Sequence, residues 1–236
     1  MIKKFMLMSA PLEAISNCEY RKKCFEAGAD LTFCEMARVS NLCRKKRGEI
    51  EKTKICYSVP TQIQLAGSKL LEYKKYLDGF EVVDGFCGFN LNLGCPSPQF
   101  IRQGLGCAMM KRVSKVQEIV RMIEEYGFEC SIKMRLGLNK YEKEKHIYLN
   151  LIENVDASFF VVHAKTADQT ENDPADFSVY SKCVNTDKKI VANGDIRTKE
   201  QIDKLKSEGL YGAMIGRAAI RDPMIFEELN YKVIKL

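Results

Sequence analysis

The sequence has no Cys-x-x-Cys pair and only two histidines, His146 and His163. The strong metal-binding spacings are therefore missing from a chain that nonetheless carries 10 cysteines, and no metal is expected. Cys18, Cys24, Cys34 and Cys43 do cluster early, which leaves a metal or cluster site there as the alternative. No apolar run reaches the ~20 residues of a membrane-spanning helix, so no membrane partner is expected. Lys3 and Lys4 precede Phe5-Met6-Leu7-Met8, but this run is too short for a signal peptide, and Pro11 closes it without a clear cleavage site. No Pro/Ser-rich linker or low-complexity block divides the 236 residues. Hydrophobic residues make up 46%, enough for a real core and too many for disorder. A chain of this size does not need staples, so the thiols are expected to be mostly reduced, in a cytoplasmic setting. The net charge of +6 fits a polyanionic partner or a phosphate ligand without demanding one.

Strand and helix signals alternate from end to end. Strands are expected at Phe5–Ala10, Leu31–Glu35, Thr61–Leu65, Phe86–Leu93, Cys130–Leu136, Ser158–Ala164, Lys189–Ala192 and Gly212–Ile215. Helices are expected at Cys18–Ala27, Leu70–Leu77, Ser114–Tyr126, Lys145–Val155 and Thr198–Glu208, with a final short helix to the end of the chain. Ser114 with Gln117, and Thr198 with Gln201, have capping-box spacing. The basic stretch from Arg38 to Lys54, with the run Arg44-Lys45-Lys46-Arg47, reads as a solvated loop or as a contact for phosphates. Eight strands alternating with helices imply a single-domain α/β fold, a (β/α)8 TIM barrel over residues 1–236.

In that fold the active site lies at the C-terminal strand ends. Polar residues recur there: Gln64 after strand three, Lys133 and Arg135 on one face of strand five, His163 on strand six, Asn193 and Asp195 on strand seven. A polar group facing a barrel interior costs energy without a partner, so this convergence suggests a polar ligand. Asn193-Gly194-Asp195 and Gly216-Arg217 follow the two strands where barrels commonly bind phosphate. Cys95 stands in Asn92-Leu93-Gly94-Cys95-Pro96, a strand running into a glycine-rich loop that continues to Gly104-Leu105-Gly106. Pro96 keeps Cys95 extended and at the lip of the strand. A buried structural cysteine is the competing reading.

Taken together, Ala10-Pro11-Leu12, Cys34-Glu35-Met36, Ile63-Gln64-Leu65, Asn92-Leu93-Gly94-Cys95-Pro96, Gly104-Leu105-Gly106-Cys107-Ala108, Lys133-Met134-Arg135-Leu136-Gly137, His163-Ala164-Lys165-Thr166, Asn193-Gly194-Asp195-Ile196 and Ile215-Gly216-Arg217-Ala218 give the chain a resemblance to the flavin-dependent tRNA-dihydrouridine synthase family. The resemblance implies FMN across the barrel mouth, held by Pro11, Leu12, Glu13, Gln64, Lys133 and His163. It implies the phosphate end on Asn193, Gly194, Asp195, Gly216 and Arg217, and NADPH as reductant. It implies hydride transfer to C6 of uracil and a proton from Cys95 to C5, with Asn92 and Lys165 on the substrate side. The partner it implies is tRNA. The sequence departs from the family in four respects. No helical tRNA-gripping domain is expected after the barrel. His-x-Arg-Thr-Arg stands as His163-Ala164-Lys165-Thr166-Ala167, Gln99 replaces a common lysine, and Leu12 replaces a Met. These departures keep two other readings open: an FMN-dependent reductase of a small pyrimidine, and a non-catalytic flavin-binding accessory protein.

Overall fold

The computed structural model describes residues 4–230. Nine parallel strands form one nearly closed barrel: β1 Met6–Ser9, β2 Thr32–Phe33, β3 Ala37–Arg38, β4 Thr61–Ala66, β5 Phe86–Leu93, β6 Cys130–Met134, β7 Phe160–His163, β8 Ile190–Asn193 and β9 Gly212–Ile215. The order around the barrel is β1-β9-β8-β7-β6-β5-β4-β2, and β3 also pairs with β4. The second staff of the barrel is thus one segment in two pieces. Thr32 pairs with Thr61 and Phe33 with Gln62, whereas Ala37 pairs with Leu65, so one extra residue bulges between the pieces. Closure is made by Met8 and Leu31, with Ser9 N–H donating to the Leu31 carbonyl at 3.0 Å and Asp30 N–H to that of Leu7 at 2.7 Å. The bounds of β5 and β9 and of the helix Leu70–Leu77 coincide with those read from sequence.

Alternation along each strand sorts side chains to two sides. Leu7, Ile63, Leu65, Phe89, Leu91, Ile132 and Met134 belong to the large core between the barrel and its helices. Inside the barrel, a second cluster of Met8, Phe33, Val161, Val191 and Met214 fills the side built by β1, β2 and β7 to β9. The side built by β4 to β6 is filled by polar residues. Ser131 Oγ donates to Gln62 Oε1 at 2.5 Å, Asn90 Nδ2 to Ser131 Oγ at 2.7 Å, and Gln64 Nε2 to Asn90 Oδ1 at 2.7 Å. All four are buried. A bulge at Gly88, whose φ is +104°, shifts the β4–β5 register; a Cβ there would lie 2.5 Å from the Glu129 carbonyl oxygen.

Several local expectations change. The helix Val113–Glu125 starts one residue early, directly after the 3₁₀ segment Gly106–Lys111, so Ser114 lies inside it and makes no cap. Gln117 instead accepts from the Asp156 N–H at 2.8 Å. The second box holds, with Thr198 and Gln201 capping Lys199–Ser207 reciprocally. The basic stretch is no open loop: it forms the short helices Val39–Cys43 and Arg47–Lys52. Cys18 and Cys56 form a disulfide, while the other eight cysteines are free, so the thiols are mostly reduced. Cys43 turns away to the Glu72 carbonyl, and among the described residues no group of three or more metal-type ligands gathers. No helix among them is long and apolar enough to cross a membrane. Helices Arg217–Arg221 and Ile225–Asn230 end the described chain. The expected end of the last helix lies outside the described residues.

The interior polar layer predicts a stability effect. Asn90→Ala removes both bonds that Asn90 makes and strands the Gln64 amide, so it is expected to cost about 2–4 kcal/mol, against under ~0.5 kcal/mol for the exposed control Lys204→Ala. Urea denaturation midpoints of the two variants check this.

Candidate active site

The C-terminal strand ends open into a cavity of about 270 Å³. Pro11 and Leu12 line it from the loop after β1, Lys133 and Arg135 from β6 and its end, and His163 and Lys165 from β7 and its end. Asn193, Gly194 and Asp195 come from β8, Gly216 and Arg217 from the end of β9, and Gln169, Thr170 and Glu171 from the loop after β7. Lys133 and Arg135 face inward because Ile132, Met134 and Leu136, the alternate residues, are committed to the outer core.

Lys133 Nζ donates to Asn193 Oδ1 at 3.0 Å, and Asn193 Nδ2 donates to the Met214 carbonyl at 2.9 Å. Tyr180 clamps the Asn193 backbone, its hydroxyl donating to the Asn193 carbonyl at 2.8 Å and accepting from the N–H at 3.0 Å. Burial, reinforced by the charge of Arg135, pushes the Lys133 ammonium down to about 7. Burial and the surrounding cations Lys133, Arg135, Lys165 and Arg217 hold His163 down to about 2, so its imidazole is neutral. Gly194 has φ +115°, and a Cβ there would come within 2.9 Å of the His163 ring. Glycine is what lets this backbone pass so close to His163.

Asp195 also has a positive φ, +52°. Its carboxylate pairs with Lys165 at 3.0 Å and with Arg217. Burial works to raise it, but those two cations prevail and hold it below the usual carboxylate range. Lys165 is only 1% exposed and also donates to the Thr170 and Glu171 carbonyls at 3.4 and 3.2 Å. Arg217 Nη1 reaches the Glu171 carbonyl and carboxylate at 3.2 and 3.4 Å. The two cations thus tie the loop at Thr170 and Glu171 over the cavity. Five Lys/Arg side chains and two carboxylates line the cavity. The donor set, set against the apolar surfaces of Ala10, Pro11, Leu12 and Met214, fits a ligand with a flat body and an anionic end.

Cys95, Asn92 and Gln64 lie outside that lining but are wired to it. Asn92 is in register with Lys133 across β5 and β6. Its Oδ1 accepts from the N–H groups of Gly94 at 3.2 Å and Cys95 at 2.9 Å. Its Nδ2 donates to Gln64 Oε1 at 2.8 Å, so Gln64 orients Asn92 and both ends of its amide are engaged inside the barrel. The Cys95 carbonyl accepts from Cys107 N–H at 3.2 Å. Gly106 has φ +56°, and a Cβ there would lie 2.7 Å from the Cys95 carbonyl oxygen, which accounts for the glycine. Cys95 itself is partly exposed, whereas burial pushes the neighbouring Cys107 thiol up to about 12. Glu13 is not brought to the site: its side chain is 79% exposed and faces Lys52. Glu171 carried no signal in the sequence, because a loop with no motif delivers it. Arg135 was legible from the strand face that it shares with Lys133.

The family model described as Dihydrouridine synthase (Dus) matches residues 8–235. The chain is 30% identical over 235 residues to a protein of Rattus norvegicus named tRNA-dihydrouridine(47) synthase [NAD(P)(+)]-like, covering 95% of this chain and 36% of the relative. It is 28% identical over 241 residues to a probable tRNA-dihydrouridine synthase of Helicobacter pylori strain J99, covering 99% of this chain and 72% of that protein. The chain therefore spans about a third of the length of the rat relative. A solved structure of N-(5'-phosphoribosyl)anthranilate isomerase from Pyrococcus furiosus superposes over 96% of both chains with a TM-score of 0.55 at 15% identity, a likeness of fold.

Lys133 carries a pH prediction. Its folded value is depressed, so the unfolded chain binds the extra proton between about pH 7 and the ordinary lysine range, and stability rises with pH across that window. In the ligand-free protein, Lys133→Met is expected to stabilise at pH 7, and its advantage is expected to shrink as pH approaches 10. Denaturant unfolding of both proteins at the two pH values measures this.

Proposed function

Because the chain belongs to the dihydrouridine synthase family, we propose that it reduces the C5–C6 double bond of a uridine in tRNA, with FMN held in the cation-lined cavity. The observation that carries this reading is the register of Asn92 beside Lys133, which joins the Cys95 loop to that cavity. Pro11, Leu12 and Met214 offer the apolar surface for a ring system, Lys133 and Arg135 its positive flank, and Gly194, Gly216 and Arg217 the end suited to a phosphate. When bound and reduced by NADPH, FMN supplies a hydride to C6 of the uracil. The thiol of Cys95 supplies the proton to C5, so one hydride and one proton together saturate the bond, and the resulting thiolate regains a proton from solvent. Asn92 fixes the direction of that thiol through its hold on the Cys95 backbone. Lys133, poised near neutrality in the ligand-free protein, takes full charge once an anion lies beside it.

A second reading, a small pyrimidine as substrate, draws support from the β7 side of the mouth. Lys165 is consumed by Asp195 and by carbonyls, and Ala167 offers no charge, so this side has little left for RNA.

An absorbance spectrum of the purified protein, anaerobic reduction with NADPH, and mixing with unmodified tRNA or free uracil compounds test both readings. The expected result is a flavin spectrum reoxidised by tRNA. Cys95→Ala is expected to keep the flavin and its reduction by NADPH while slowing uridine reduction by about 10²–10⁴. Reoxidation by small pyrimidines alone favours the second reading, and a protein that stays colourless with added FMN overturns both.

A further inference from the structure

The charge of this protein is concentrated on one side of the barrel mouth. Residues 38–54 and 96–112 hold ten Lys/Arg against two Asp/Glu, a net +8. That exceeds the +6 of the whole chain, so the remaining residues are net negative. Both acidic residues are occupied. Glu49 turns inward, accepting from Arg38 N–H and Asn41 Nδ2 at 2.8 Å each, and Glu51 pairs with Lys54 at 2.8 Å. Arg44, Lys45, Lys46, Arg47, Arg102 and Arg112 are exposed, and none has a carboxylate partner among the described residues. Several exposed lysines elsewhere are paired along their own helices, as in Lys74–Asp78 and Lys204–Glu208, and those unpaired among the described residues, such as Lys23 and Lys182, are scattered over separate helices.

The two segments form one surface. The Arg38 guanidinium stacks over the Phe100 ring at 4.3 Å, and its Nη1 donates to Gln103 Oε1 at 3.3 Å. Phe100 belongs to the helix Pro98–Arg102, which begins three residues after Cys95. Arg102 therefore stands on the helix that follows the thiol loop, and the segment carrying Arg44 to Arg47 packs against that helix through Arg38. Four of the six are arginines, whose forked guanidinium matches phosphate oxygens. Within the two segments Ile50 is the one large apolar side chain that is exposed, which leaves no apolar cluster to insert into a lipid surface.

We infer that this arc, from Arg44 to Arg47 and on to Arg102 and Arg112, binds the phosphate backbone of the RNA whose uridine is reduced. The inference rests on the reading above and supplies the RNA contacts that Lys165 and Ala167 do not. The test titrates full-length protein with an unmodified tRNA transcript at several salt concentrations. Three proteins are compared: wild type, the combined variant R44Q/K45Q/K46Q/R47Q, and K23Q/K182Q/K204Q/K206Q, which loses the same charge from exposed positions on outer helices. Thermal midpoints of the three verify folding.

The arc variant is expected to bind about 10–100-fold more weakly at 0.1 M salt, with a log–log salt slope shallower by roughly 2–4, because each lost phosphate contact removes about 0.7–0.9 of slope. The control is expected to change affinity by less than ~2-fold, since distant exposed charges are screened. Equal weakening of the two variants, an unchanged arc variant, or tighter wild-type binding to phosphatidylserine vesicles than to tRNA overturns the inference. Failure of the enzymatic reading shows separately, as arc-dependent tRNA binding with no dihydrouridine formed.

Discussion

A run of buried side-chain hydrogen bonds sets the geometry of everything at the barrel mouth. It passes from Gln62 through Ser131, Asn90 and Gln64 to Asn92, and ends on the N–H of Cys95. Gln62, Ser131, Asn90 and Gln64 are buried, and a buried polar group left unpaired costs about 1–3 kcal/mol. Asn90, Gln64 and Asn92 each donate on one side and accept on the other, so an amide that flips breaks bonds on both sides of itself. The direction of Asn92 is therefore decided deep in the barrel and not by the loop it supports. The role proposed for Cys95, delivery of a proton to one carbon, needs that kind of fixed base. Barrels of this type usually pack their interior with branched apolar layers. Here β7 to β9 do so, while β4 to β6 give the space to amides, and the active-site loop hangs from the polar half.

The second constraint is electrostatic. Lys133, Arg135, Lys165 and Arg217 converge on a cavity with Asp195 as its principal counter-charge. Asp195 neutralises Lys165 and Arg217, but no carboxylate pairs with Lys133, whose one side-chain partner is the neutral amide of Asn193. Burial next to Arg135 then works against the charged ammonium. Such an arrangement is unfavourable in isolation and becomes favourable when an anion arrives, because the ligand supplies the charge that the fold withholds. The neutral state of His163 follows from the same crowding.

Much of this was legible in the sequence, for physical reasons. Alternation in Phe89-Asn90-Leu91-Asn92-Leu93 and Ile132-Lys133-Met134-Arg135-Leu136 states which residues face inward, since only one side of each strand can join the apolar outer core. The rim residues of β8 and β9 likewise meet in one cavity. What was not legible depends on tertiary neighbours. Gln64 was read as facing a ligand, but the amides of Asn90 and Asn92, which occupy it, come from another strand. Ser114 has the right spacing for a cap, yet the preceding 3₁₀ turn starts the helix earlier. The Cys18–Cys56 pair joins residues 38 apart, and no local pattern announces such a partner. Glu13 lies beside two cavity residues in sequence, but the chain turns at Ala14, which has φ +59°, and Glu13 is left facing Lys52.

The two halves of the mouth divide the work of charge in opposite ways. On the β7–β9 side two cations are tied up within the protein: buried Lys165 has three acceptors, and part-exposed Arg217 has two residues to hold. Cations so engaged can shape a small site but cannot follow a flexible polyanion, since moving them would break bonds within the protein. On the β3–β5 side Arg44, Lys45, Lys46, Arg47, Arg102 and Arg112 are exposed and have no carboxylate partner among the described residues, and they stand on short helices and the turns beside them, with little side-chain freedom lost to internal contacts. A phosphate backbone is met best by charges of the second kind, because contacts can form by counterion release without disturbing the fold. The Arg38–Phe100 stack ties that side to the loop of Cys95, so a chain of phosphates held there runs past the thiol and not past the buried ion pairs. On the proposed reading, the engaged cations around the cavity suit an anionic cofactor and the free arginines across the mouth suit a nucleic acid, two sides of one arrangement.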